Sequence, residues 1–200
     1  MPEGERLSDR LDGWFSGPGP KTVGSLIELF GEKSFAVLFV LLLALSALPL
    51  PTGGVTHVFE LIAMLLALQL VVGRRHVWLP ERWRQRELGS ATQKRFQETF
   101  LRRLRWVEGH SRPRLGFLLS QRPSSIGFGA VVLVLTVFAF VAPPFTGLDT
   151  LPSLGVVLIS LGVLLDDALL ALIGLVVGAV GAVLVLFLGS LAVKEASSLF

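Results

Sequence analysis

The chain has 200 residues, of which 52% are hydrophobic and 16% charged, and its mean hydropathy is +0.70. That is more apolar surface than a soluble domain of this size buries, so the composition predicts an integral membrane protein, read here as all-α, rather than a soluble domain. The net charge of +3 hides a partition, because residues 74–122 hold 13 of the 18 Lys+Arg against 4 acids while the remainder is acidic.

Residues 1–31 form an amphipathic N-terminal segment. Met1 to Pro20 alternates acid, base and Gly/Pro, so no secretory signal is expected there. Leu7, Leu11, Trp14 and Phe15 fall at helical spacing behind Ser8 and Asp9, and Gly17-Pro18-Gly19-Pro20 stops that helix. Ser25 to Glu28 has capping-box spacing, Val23, Leu26, Ile27 and Phe30 share a stripe, and Gly31 is a stop. Both helices are expected either along the membrane interface or against the protein's own cytoplasmic face.

Residues 32–73 read as a hairpin. The first arm, Phe35 to Leu48, has 14 residues and reaches only about 21 Å against a hydrocarbon core of roughly 30 Å. Leu48-Pro49-Leu50-Pro51-Thr52-Gly53-Gly54-Val55-Thr56 breaks the helix. The return arm, Val55 to Val72, reaches about 27 Å but carries His57 and Glu60 in its first turns. The hairpin is either two spans or a re-entrant pair whose turn stops inside the bilayer.

Residues 74–122 are the basic segment, and Lys/Arg excess beside apolar runs places it in the cytoplasm. A nucleic-acid partner is not expected, since the patch lies between membrane runs. Trp78, Pro80 and Trp83 with Arg82, Arg84 and Arg86 suit a membrane surface. Ser90 to Gln93 opens a helix with Phe96, Phe100, Leu104 and Val107 on one face, leaving Arg95, Arg102, Arg103 and Arg105 for anionic lipid headgroups or for solvent.

Residues 123–167 repeat the hairpin. The arm Ile126 to Val141 leads to Ala142-Pro143-Pro144-Phe145-Thr146-Gly147-Leu148-Asp149-Thr150, in which Pro143, Thr146, Gly147 and Thr150 echo Pro49, Thr52, Gly53 and Thr56 at one offset of 94 residues. A constant offset is the mark of an internal duplication. Paired helix breaks in two halves are either ordinary loops or a midplane transport site built on helix N-termini. In the second case Thr52, Gly53, Gly54, Thr56, His57 and Glu60 of one copy and Thr146, Gly147, Asp149 and Thr150 of the other would hold an anionic group. Because Glu60 and Asp149 repel an anion unless protonated, such binding would be linked to protons.

After Leu151 to Leu165, Asp166-Asp167 interrupts the apolar run, as junction residues or, inside the bilayer, as ion or proton sites. Residues 168–200 form the C-terminal transmembrane helix, whose 26 apolar residues from Ala168 to Val193 span about 39 Å. Gly174, Gly178 and Gly181 make a close-packing face, for another helix of the chain or for a homodimer.

The start at Leu7-Ser8-Asp9-Arg10-Leu11, the helix from Val23 to Lys33, the Leu48-Pro49-Leu50-Pro51 turn, the Leu68 to Arg75 exit and Trp78-Leu79-Pro80 together resemble the ExoD family of bacterial membrane proteins linked to exopolysaccharide synthesis. The chain departs from that pattern at Thr52-Gly53, where Pro-Gly would follow the turn prolines. The resemblance implies a multi-pass inner-membrane protein and supplies no catalytic residues. The absence of Cys, of a cofactor glycine motif and of a metal-ligand cluster points away from an enzyme, and no cofactor or metal is expected. Two functions remain: a transporter-like protein handling an anionic lipid-linked substrate at the turns, or an accessory protein that scaffolds the polysaccharide-synthesis proteins.

Overall fold

A computed structural model describes residues 6–48, 55–86, 101, 102, 104–109, 111, 122–143 and 146–198. Every regular element among them is a helix: α1 (Leu7–Ser16), α2 (Val23–Phe30), a single 3-10 turn (Gly31–Lys33), α3 (Ser34–Leu43), α4 (Val55–Val71), α5 (Glu81–Arg84), α6 (Arg122–Val141), α7 (Thr150–Leu164) and α8 (Ala168–Ser198). Residues 101, 102 and 104–109 are also helical.

The boundaries follow local chemistry. Thr22 caps α2: its side chain accepts from the Ser25 amide, and the Ser25 hydroxyl accepts from the Thr22 amide. The expected box, Ser25 with Glu28, is therefore displaced by one turn, and exposed Glu28 pairs with Arg84 at 3.0 Å instead. Gly31 ends α2 at φ 51, a conformation in which a side chain would be strained. α6 begins four residues before the expected Ile126, because Pro123 sits in a first turn where its missing N–H costs nothing. α3 gives way to turns at Ala44, five residues before Pro49, which disfavours helix in the residue preceding it.

Four helices run between two ends of a bundle. α3 and α6 run from a base toward the turns, and α4 and α7 return. α4 packs antiparallel on α6, with Gly129 against Leu70 near the base and the His57 and Phe140 rings 5.6 Å apart near the turns. α3 packs on α7, and Phe39 of α3, fully buried, meets Phe128 of α6 edge-on at 5.8 Å. α8 lies antiparallel along α7, Gly162 meeting Ala171, Gly155 meeting Gly174 and Gly178, and Leu151 and Pro152 meeting Gly181. The glycine face predicted for a partner helix is thus filled within the chain, by α7 and by Leu135 of α6.

The base is closed by the N-terminal helices. Leu11, Leu26 and Phe30 are buried, so α1 and α2 sit on the protein rather than beside it. The 104–109 helix joins them: Leu104 is buried, Glu108 accepts from the Ser8 amide at 3.0 Å and from the Ser8 hydroxyl, and Arg105 pairs with Asp12 at 2.8 Å. Of the arginines expected at lipid headgroups, Arg105 is held by Asp12, Arg102 is exposed, and Arg95 and Arg103 lie outside the described residues, as do Phe96 and Phe100. Among the described residues only Ala168–Ser190 forms a helix long and apolar enough to cross a membrane; α4, α6 and α7 are shorter apolar helices.

Candidate functional site

The candidate site is at the turn end of the bundle, where polar residues interrupt otherwise apolar helices. Glu60, in the second turn of α4, is 0% exposed, and neither carboxylate oxygen has a hydrogen-bond partner. One helical turn earlier on the same face, the His57 Nδ1 is 3.5 Å from Glu60 Oε2 and is itself unpartnered. Ser46, in the turns after α3, presents a buried hydroxyl beside Glu60 without hydrogen-bonding geometry to it. Asp149, from the second turn, is near enough to act electrostatically on Glu60, and Phe140 of α6 covers the imidazole. The first turn thus borders the buried Glu60, and the second turn acts on it through the charge of half-buried Asp149.

Among the residues predicted from sequence, His57 and Glu60 come together, and Asp149 acts on Glu60 through its charge. Thr56 is buried beside them on α4, and Thr150 opens α7. Thr146 and Gly147 do not join the cluster. Thr146 is exposed and uses its hydroxyl within its own turn, donating to the Pro143 carbonyl at 2.6 Å and accepting from the Leu148 amide at 3.4 Å, while Gly147 takes φ 70. Thr52, Gly53 and Gly54 lie outside the described residues. Ser46 and Phe140 were not singled out from sequence; a lone Ser in the apolar run Val40 to Leu48 was the available signal.

The other acidic pair lies at the opposite end, where both carboxylates are engaged. Asp166, at φ 54, supplies the left-handed residue that stops α7 and pairs with Lys33 at 2.7 Å; Lys33 also donates to the Leu164 carbonyl at 3.1 Å, at a helix C-terminus where a cation is favoured. Asp167 caps α8 by accepting from the Leu169 and Leu170 amides and takes a 2.8 Å hydrogen bond from the Ser111 hydroxyl. No group of three or more His, Cys, Asp or Glu able to hold a metal occurs among the described residues.

A carboxylate and an imidazole one helical turn apart, with a hydroxyl beside them, are groups that can bind protons. Comparison with known proteins gives the setting. The family model described as exopolysaccharide synthesis, ExoD, matches residues 7–187, which include every residue of the cluster. The chain belongs to the ExoD family. Protein ExoD of Rhizobium meliloti is 30% identical over 170 residues, covering 82% of this chain and 69% of that protein. An uncharacterised protein of Synechocystis sp. is 28% identical over 174 residues, covering 86% of this chain and 81% of its own length. No solved structure matches the chain. Membership of the ExoD family ties the chain to exopolysaccharide synthesis, as the family description states.

Proposed function

We propose that this chain is a bacterial inner-membrane protein of exopolysaccharide synthesis in which α8 crosses the bilayer and two re-entrant hairpins, α3 with α4 and α6 with α7, carry the Glu60 cluster into it. There the protein handles the headgroup of an anionic lipid-linked intermediate by binding and passage rather than by making bonds. The two hairpins are read as copies: the offset of 94 residues maps α4, Val55–Val71, onto 149–165, against an observed α7 of Thr150–Leu164.

One observation carries this reading, the register of α7 on α8. Gly162 meets Ala171 near the base and Leu151 and Pro152 meet Gly181 at the turns. The rise from Ala168 to Gly181 is about 20 Å, and the apolar stretch continues to Ser190 for about another 14 Å. With that stretch of 23 residues set across a hydrocarbon core of roughly 30 Å, the turns stop well short of the far side. A helix end at that depth is tolerated where neighbouring protein shields it, as α8 shields the start of α7.

Two further features support the placement. Leu172, Val176, Val180, Val183 and Phe187 leave an apolar face of α8 open, as lipid contact requires. At the base end, exposed Trp78 and Trp83 carry Arg74 and Arg86 over their rings at 5.9 and 5.6 Å, a combination suited to headgroup level on the cytoplasmic side.

The test is leaflet exchange in proteoliposomes of a fluorescent short-chain polyprenyl phosphate, followed by quenching of the outer leaflet. The protein should accelerate exchange at least ten-fold over protein-free liposomes, and Glu60→Leu should lose most of that gain. Equal rates with and without protein would remove the transport reading and leave the scaffold for polysaccharide-synthesis proteins.

A further inference from the structure

We infer that Glu60 and His57 together are the proton-binding site of this protein, exchanging protons as the site fills and empties; this deepens the functional reading above by naming its coupling ion. The argument begins from a contrast among the acids. Asp12 has Arg105, Glu28 has Arg84, Glu108 has the Ser8 amide, Asp166 has Lys33, and Asp167 has two helix amides and Ser111. Glu60 is more deeply buried than any of them, and both its oxygens lack a donor.

Leaving a buried polar group unsatisfied costs about 1–3 kcal/mol, more for a charged one, and native proteins keep few such groups. Here three neighbouring side chains, Ser46, His57 and Glu60, are all left unsatisfied in one enclosed place. A carboxylate that served only packing would be replaced without loss by an apolar residue, since a buried unpaired charge is costly in a membrane. The cluster therefore has the character of a site kept open for an exchangeable occupant.

The donor set identifies that occupant. A hard cation such as sodium or calcium takes a shell of oxygens, whereas one carboxylate with an imidazole Nδ1 at 3.5 Å offers two neighbouring proton acceptors. The charged and titratable groups facing Glu60 are His57 on its own helix and Asp149 from the turn before α7; the turns after α3 present Ser46, and α6 presents Phe140. With one proton the Glu60 and His57 pair is neutral. A second proton, with the carboxyl and the imidazole both protonated, makes it cationic, so an arriving anionic headgroup and one proton enter together and leave together.

The experiment is an infrared pH titration of the full-length protein in lipid nanodiscs, following the carbonyl band of protonated carboxyl groups. Wild type should show such a band that grows as the pH is lowered, disappears in Glu60→Gln and titrates at a different pH in His57→Asn, while Asp149→Asn keeps it. Identical band intensity in wild type and Glu60→Gln throughout the titration would overturn the inference. Glu60→Gln removes only a buried charge, so it should fold, and His57→Asn supplies an independent variant. Binding of farnesyl phosphate to the same nanodiscs separates the two readings: a band that belongs to Glu60 without phosphate binding keeps the proton site and removes the lipid-phosphate substrate. Binding that weakens at high pH in wild type, by about ten-fold more than in Glu60→Gln, supports both.

Discussion

Adding one methyl group to Gly174 should separate α7 from α8. A Cβ built there comes within 2.5 Å of the Ile159 backbone nitrogen and 2.8 Å of the Gly155 carbonyl oxygen, so it meets main chain that has no side-chain torsion with which to move away. Overpacking of this kind costs about 1–3 kcal/mol, against a helix-propensity gain of about 0.5–1 kcal/mol for Gly to Ala. Gly174→Ala is therefore expected to lose about 1–2 kcal/mol. Gly189 is in the same helix and has nothing within 4 Å, so Gly189→Ala should keep the propensity gain without the clash. Gly178→Ala should fall between them, because its new methyl meets the end of the Leu135 side chain, which can turn aside. Unfolding in mixed micelles with a rising fraction of denaturing detergent gives the three values. Gly174→Ala as stable as Gly189→Ala would refute the close backbone contact, and with it the register that sets the depth of the turns.

Three smaller changes test the base and the caps. Asp167→Ala should cost about 1–2 kcal/mol by removing the cap of α8, while Asp167→Asn retains most of it; equal losses in the two would mean that charge rather than capping is at work. Lys33→Met should cost no more than about 1 kcal/mol in the same unfolding assay, since its partner Asp166 is 43% exposed and solvent weakens the pair; a loss of several kcal/mol would mark a far stronger junction. Ser25→Ala should raise hydrogen exchange in the first turn of α2 more than Thr22→Ala does, because the Ser25 hydroxyl also donates to the Pro20 carbonyl and accepts from the Trp14 indole. Exchange rates that rank the other way would show that Thr22 dominates the cap.

Much of the fold can be read from local chemistry. The stop of α1 at Gly17, the stop of α2 at Gly31 and the start of α8 after Asp166-Asp167 each rest on a residue whose backbone preference is visible in the sequence. What covers an apolar stripe is not visible there. The stripes of α1 and of the 104–109 helix have the spacing that a membrane-surface helix would have, yet Leu11 and Leu104 are buried by the bundle, and the pairs that fix them, Ser8 with Glu108 and Asp12 with Arg105, join positions nearly a hundred residues apart. The site was half legible for the same reason. His57 and Glu60 share one helix face and can be paired by counting, whereas Ser46 and Phe140 reach them from other elements. Thr146, one of the four residues that recur at the 94-residue offset, spends its hydroxyl on its own turn. The acids Asp166 and Asp167 carry two meanings as sequence, and the contacts at the end of α7 give both a structural task.

The central claim is that the hairpin turns end inside the bilayer while α8 continues through it. Single cysteines at Thr146, exposed at the second turn, and at Ser190, at the end of the apolar stretch of α8, can be labelled in intact cells with a membrane-impermeant thiol reagent, the chain having no cysteine of its own. The account predicts that Ser190→Cys reacts promptly and that Thr146→Cys reacts at least ten-fold more slowly until the membrane is dissolved. Equal, rapid labelling of both would place the turns outside and contradict it.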